Sequence, residues 1–278
     1  MKLSLSVRIV EAACKTRLNL PFETIAEIAA NTGYDAICMR ASAGGVQTPL
    51  EELQQMRAIV EAAQLKVSMV TADSDVPLNN DDGPNSLRNI GPSLDVAEAL
   101  GCDLIRICMK KPDDILFAQA AADQAAERNI RLAHQCHTTS LFEEVEPLIT
   151  LLQQLNRPNF GIIYEPANLL LCGQAYDLVT LQKLQPYLMN VYVQNHRLDP
   201  QGPEGLETFC LGERRFHHLD PWETGGVEFD QVFAGLRGID YSGYFTIHQA
   251  QGIETAEDAT AFASRCAQYV NAQRPSAG

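Results

Sequence analysis

The sequence predicts an α/β fold, a closed (β/α)8 barrel in a single domain spanning residues 1–278. Short β-type apolar runs alternate in strict order with amphipathic helical stretches, eight of each. Such alternation implies a parallel sheet, and eight units in roughly 250 residues imply closure. An open doubly wound sheet is the rival. No G-x-G-x-x-G or Walker-type loop follows any strand to support it, and no Pro/Ser/Gly-rich linker divides the chain.

The elements follow from local chemistry. KLSLSVRI (2–9) reads as the first strand; Arg8 and Glu11 interrupt its apolar character, which argues against a secretion signal. A helix follows over 21–33, with Pro21 at its start and Gly33 at its end. The second strand is 35–40, and the next helix runs over 48–64 with Thr48 as N-cap and Pro49 behind it. The third strand, 66–72, leads into a polar, turn-rich loop over 73–85 that carries no special chemistry. Helix 86–101 then precedes strand 103–109, helix 113–129 precedes strand 130–137, and helix 140–156 precedes strand 159–166. Helix 175–188 leads to strand 189–196. After a long insertion (197–225), helix 228–239, strand 243–250 and helix 255–272 complete the pattern.

Composition narrows the function. At 46% apolar residues the chain can bury a sizeable core. Asp plus Glu number 35 and Lys plus Arg 21, a net charge of −14 that repels nucleic acid and anionic membranes. No apolar run approaches the roughly 18 residues of a membrane span. Eight scattered cysteines with no C-x-x-C pair argue for reduced, buried thiols and a cytoplasmic location, and against a disulfide frame or zinc ribbon.

In a barrel of this kind the chemistry lies at the C-terminal ends of the strands. His134, His137, His196 and His248 fall there, and His217 and His218 lie in the insertion on the same rim. A lone histidine is most often a packed residue; four at strand ends weaken that reading for the group. Glu165 ends strand six, and a carboxylate between imidazoles suits manganese, cobalt or zinc. Arg8, Arg40, Arg106, Lys110, Lys111 and Arg197 also lie at or near strand ends. In an acidic chain such cations suggest an anionic substrate, with structural ion pairing as the alternative. The insertion, too long for an ordinary connection, reads as a lid or an oligomer contact.

With these residues in place the chain resembles the xylose-isomerase-like TIM barrels, the sugar phosphate isomerase/epimerase family. NTGYDAICMR resembles that family's glycine–aromatic–acid approach to strand two, and VAEALGCDLIRI its passage into strand four. IRLAHQCH resembles the strand-five segment that usually ends in Glu-Asn-His, YEPANL its Asp-Pro-x-Asn segment, and GGVEFDQVFAGLRGIDYSGYFTIH its last unit. The resemblance implies a divalent metal held by Glu, Asp, His and Glu, the two Glu also moving protons. Here Gln135 stands for the first Glu, Glu165 for the Asp and His248 for the last Glu; Tyr192 falls nearest the His, with Gln194, Asn195 and His196 just beyond. The implied ligands are therefore Gln135, Glu165 and His248 with one of Gln194 or His196, and either His137 or His248 as the base. Asn168 and Arg197 resemble substrate contacts, joined by Arg40 and Arg106.

Gln135 cannot abstract a proton, so one arm of the two-carboxylate shuttle is missing. The leading expectation is a metal-dependent isomerase or epimerase of a sugar, keto-sugar or sugar phosphate with a remodelled metal site. A carbohydrate lyase or dehydratase needs only one base and an electrophile, and is the alternative. A non-catalytic sugar-binding or partner subunit is the third reading. Barrels of this family often form homo-oligomers, and some are DNA-repair endonucleases, a role the net charge disfavours.

Overall fold

The computed structural model describes residues 1–72 and 81–273. Its barrel strands are β1 (Lys2–Ser6), β2 (Ala36–Cys38), β3 (Lys66–Thr71), β4 (Leu104–Ile107), β5 (Arg131–Gln135), β6 (Phe160–Tyr164), β7 (Leu188–Val193) and β11 (Tyr244–Ile247). All pairings are parallel, and the barrel closes in the order β1, β11, β7, β6, β5, β4, β3, β2. The eight predicted strands are thus present, in the predicted closed topology.

Around them lie α1 (Phe22–Asn31), α2 (Leu50–Ala62), α3 (Asn85–Arg88), α4 (Gly91–Leu100), α5 (Asp114–Glu127), α6 (Val145–Leu155), α7 (Pro166–Leu171), α8 (Leu178–Leu184), α9 (Phe229–Gly238) and α10 (Ala256–Ala272). Among the described residues no helix is long and apolar enough to cross a membrane.

Strand alternation sorts the side chains. Cys38 Sγ lies 3.4 Å from the Tyr192 hydroxyl, and Ser4 and Ser68 hydroxyls meet at 2.7 Å. Each contact joins strands that are not neighbours in the sheet, so these residues point into the barrel. Cys38, Met69, Leu104, Ala133, Ile163 and Tyr192 form that interior cluster. Residues of the opposite parity, such as Leu5, Ile37, Ile105, Leu132, Ile162 and Val191, join the core shared with the helices. Each Leu or Ile so buried contributes about 1.5–3 kcal/mol relative to exposure. One step beyond the interior cluster, the same parity aims Arg40, Arg106, Gln135, Glu165, Gln194 and His248 at the barrel mouth.

Several boundaries differ from expectation for identifiable reasons. The first strand ends at Ser6, whose hydroxyl accepts the Arg8 N–H at 3.2 Å and starts a single 3-10 turn over Val7–Val10. That turn carries Arg8 over the mouth. Thr48 is not a cap: its hydroxyl accepts the Gly45 N–H at 3.0 Å, and α2 begins after Pro49 with no side-chain cap. The predicted helix 86–101 is broken at Asn89 (φ −147°), and Pro92, which lacks an N–H, sits in the first turn of α4. Residues 140–144 lie outside α6, because Glu143 is drawn into contacts with the insertion described below. Helix 175–188 is cut short by a 3-10 turn at Pro186. Helix α7 was not expected. Of the loop 73–85, residues 73–80 lie outside the described residues.

The insertion is not a plain loop. It folds as an antiparallel sheet in the order β8 (Asn195–Leu198), β10 (Gly212–Leu219), β9 (Glu204–Thr208). Gly202 makes this possible, since a Cβ there would lie 2.4 Å from the Phe216 carbonyl oxygen. Trp222, at its far end, packs beside Phe262 and under the Arg265 guanidinium, 4.3 Å from the ring centre.

Candidate active site

The barrel mouth opens into a cavity of about 550 Å³. Its wall includes Arg8, Lys15, Arg40, Arg106, Gln135, His137, Asn168, Gln194 and His248, and Glu204–Glu207, Phe216, His196 and His218 are contributed by the inserted sheet. The insertion therefore roofs the cavity.

At the floor, Glu165 is fully buried at the end of β6. Its Oε2 accepts from Gln135 Nε2 and from Asn168 Nδ2 (2.7 Å), and its Oε1 accepts from Gln194 Nε2. Burial raises its pKa, while the Gln194 and Gln135 hydrogen bonds and the arginines oppose that rise. Asn168 also donates to the Cys136 carbonyl at 2.9 Å, so the first turn of α7 is tied to strand β5 beneath the carboxylate.

Opposite stands a cationic wall. Arg40 Nε donates to Glu11 at 2.9 Å, both side chains 3% exposed, and its Nη1 lies 3.4 Å from His248 Nε2. His248 Nδ1 lies 3.0 Å from the Ser6 hydroxyl, and its ring stacks on Tyr192 at 3.7 Å between centres. With Nε2 accepting from a guanidinium, the imidazole is neutral and its Nδ1–H donates to Ser6. Burial, and then Arg8, Arg40 and Arg106, hold its pKa well below the usual value. Arg8 is itself lowered to about 10 by burial and by Arg40.

His137 Nδ1 lies 2.8 Å from the Thr138 carbonyl oxygen, which makes Nδ1 the protonated nitrogen and leaves the lone pair on Nε2. Burial and Arg106 lower this imidazole to about 3. His196, 2% exposed, packs with its ring tilted 4.3 Å from Phe216, and among the described residues neither ring nitrogen has a hydrogen-bond partner. Arg8 Nε and Gln135 Oε1 are likewise buried without partners among the described residues. Donors and acceptors left open around one cavity are what a polyhydroxylated anion would satisfy.

Other sequence candidates lie elsewhere. Arg197 is exposed on β8, outside the cavity lining, because the inserted sheet turns it to solvent. Lys110 and Lys111 also lie outside it; the Lys110 ammonium reaches Asp81 at 3.7 Å, and both backbone N–H groups donate to Asp114. His134 has the outward parity and stacks on Phe142 at 4.0 Å. His217 pairs with Asp199 at 2.9 Å. Six cysteines are buried, Cys14 is exposed and Cys210 is partly exposed.

A divalent metal needs donor atoms aimed at one point. The amides of Gln135, Asn168 and Gln194 aim N–H groups at both Glu165 oxygens, and turning one over would set its oxygen against a carboxylate oxygen. His248 Nε2 is aimed at Arg40. Among the described residues, the His, Cys, Asp or Glu ligand atoms that gather in a group of three, within 4.8 Å, belong to Glu143, Cys172 and Cys210, none of which lines the cavity. At the barrel floor Glu165 sits within the field of Arg8 and Arg106, which repels a cation there. The residues at the mouth do not fit a divalent ion.

The family model described as a xylose isomerase-like TIM barrel matches residues 26–266. Among solved structures, the probable 3-DHS dehydratase AsbF of Bacillus anthracis, involved in petrobactin synthesis, is similar at 16% identity, 98% of this chain, 99% of that one and a TM-score of 0.74. The IOLI protein, with a bound zinc atom, matches at 16% identity, 99% and 100% coverage and a TM-score of 0.71. D-allulose 3-epimerase from Methylomonas sp. matches at 15% identity, 99% and 98% coverage and a TM-score of 0.69. Identities this low speak for the fold alone. No curated protein matches the sequence.

Proposed function

We propose, from the premise that this chain belongs to the xylose isomerase-like TIM barrel family, that it is an enzyme moving a proton beside the carbonyl of an anionic sugar. A keto-sugar phosphate or sugar acid is the substrate class, and isomerisation or epimerisation the reaction. The observation that carries this is the cationic wall of Arg8, Arg40 and Arg106 facing imidazoles across one roofed cavity.

In this reading the guanidiniums bind the substrate's anionic group and stabilise the enediolate that forms when a carbon-bound proton leaves. His137 Nε2 is the base. Without substrate it is a weak base, because burial and then Arg106 depress it; a bound anion offsets the Arg106 part of that shift and moves it upward. His196 and Gln135 satisfy hydroxyls, and Asn168 holds Glu165 in place. His248 positions Arg40, since both of its ring nitrogens are engaged.

A second reading is β-elimination, for which one base and an arginine-stabilised enolate also suffice. Incubation in D2O with a panel of keto-sugar phosphates and sugar acids, followed by NMR, separates them. Exchange of the hydrogen beside the carbonyl with conserved sugar supports isomerisation, and an unsaturated product supports elimination. Neither reaction, in protein that binds none of the panel, overturns the proposal.

A further inference from the structure

Outside the cavity, three elements distant in sequence meet where the roof joins the barrel rim. These are the loop after β5, the end of α7 and the tip of the β9–β10 hairpin. There the Glu143 carboxylate and the Cys172 and Cys210 thiols each bring a ligand atom to within 4.8 Å of the others. Glu143 and Cys172 are buried. Glu143 has no ion pair among the described residues; its oxygens accept backbone N–H groups from Thr139, Phe209 (2.8 Å) and Cys210 (2.9 Å). Those bonds fix the hairpin tip against the rim and hold Cys210 beside Cys172, whose carbonyl lies 3.8 Å from Cys210 Sγ.

We propose that Glu143, Cys172 and Cys210 bind a zinc-class divalent cation that clamps the hairpin to the barrel rim. Two sulfurs and a carboxylate oxygen select zinc over magnesium or calcium, and water completes the tetrahedron. On binding, both thiols release their protons to solvent, so two thiolates and one carboxylate face a doubly charged ion and leave one net negative charge. The ligands come from the rim on one side and the roof on the other. Glu204–Glu207 of β9, which line the cavity, are thereby held in place. This site is independent of the proposed reaction at the mouth.

The test uses the full-length protein, stripped with chelator, reduced and titrated with Co2+ alone and then with Zn2+. The wild type is expected to bind one Co2+ with a thiolate-to-cobalt charge-transfer band in the near ultraviolet, which Zn2+ displaces. Cys210→Ser and Cys172→Ser are expected to lose the band, while Glu165→Gln at the barrel floor keeps it. Zn2+ is also expected to slow backbone hydrogen exchange in residues 204–212 of the wild type and not of Cys210→Ser. Circular dichroism checks that each variant folds, and the partly exposed Cys210 position keeps the test open if Cys172→Ser does not. Absence of the band in reduced wild type, or its survival in folded Cys210→Ser, overturns the proposal.

Discussion

Replacing Arg40 by Met should destabilise the fold far more than a surface charge change, through the partner it leaves behind. Arg40 Nε and Glu11 Oε1 are 2.9 Å apart, with both side chains 3% exposed. In Arg40→Met the Glu11 carboxylate stays buried, with the Ser42 hydroxyl as its remaining side-chain donor among the described residues. Stranding one member of a buried pair costs about 3–5 kcal/mol, whereas replacing both members by uncharged groups is often close to neutral. Arg40→Met should therefore lose about 3–5 kcal/mol, and Glu11→Gln with Arg40→Met together less than about 2, giving a favourable coupling of about 1 kcal/mol or more beyond the cost of Glu11→Gln alone. For a chain of this size the single variant should melt at least about 5 °C lower. Urea unfolding followed by circular dichroism and by the emission of Trp222, the single tryptophan, measures the cycle. A single-variant loss below about 1 kcal/mol, or strict additivity in the double variant, would show that Glu11 is not stranded by the loss of Arg40.

Three further outcomes are expected. His134 is 1% exposed and lowered to about 3, mainly by burial; its folded pKa lies below its unfolded value, so its stabilisation is present above pH ~6.5 and is lost as the unfolded chain takes up the proton between there and about 3. Between pH 7.5 and 5.5 its share is about 1.4 kcal/mol, and His134→Phe should flatten the urea-midpoint profile by about that much; an unchanged slope would count against it. Glu165→Gln should hold stability to within about 1 kcal/mol, because neighbouring amides can turn an oxygen toward the new NH2, while Glu165→Ala strands three buried donors at a cost of about 2–4 kcal/mol, read by thermal melts. Gly202→Ala should cost about 1–3 kcal/mol and speed proteolytic cutting at 209–211, since its Cβ meets the Phe216 carbonyl; unaltered cutting contradicts that packing.

Much of the fold was legible because periodicity carries it. Alternation along the strands was enough to bring Arg40, Arg106, Gln135, Glu165, Gln194 and His248 to one end of the barrel interior. The same rule, followed strictly, turns His134 away. Departures arise where a local contact outweighs the pattern: Ser6 caps a turn and ends the first strand, Asn89 and Pro92 split a helix, and Glu143 leaves α6 to hold the hairpin. The insertion's sheet was missed because its strands carry polar, charged residues, GERRFHHL among them, with little apolar alternation. The charge pattern suggested cations at the mouth, but Arg197 and Lys111 are exposed and the Lys110 ammonium reaches Asp81 instead. The meeting of Glu143, Cys172 and Cys210 is set by tertiary packing and leaves no local spacing to read.

In the proposed function the mouth is an anion site with neutral imidazoles. Isothermal titration of the wild type and Arg106→Met with a sugar phosphate and with the corresponding neutral sugar tests it directly. Run near neutral pH in two buffers of different ionisation enthalpy, it should show preference for the phosphate, net proton uptake on binding, weakening with salt, and a large loss of affinity in Arg106→Met. Equal affinity for the neutral sugar, or binding that appears only after a divalent ion is added and is insensitive to Arg106, would contradict it.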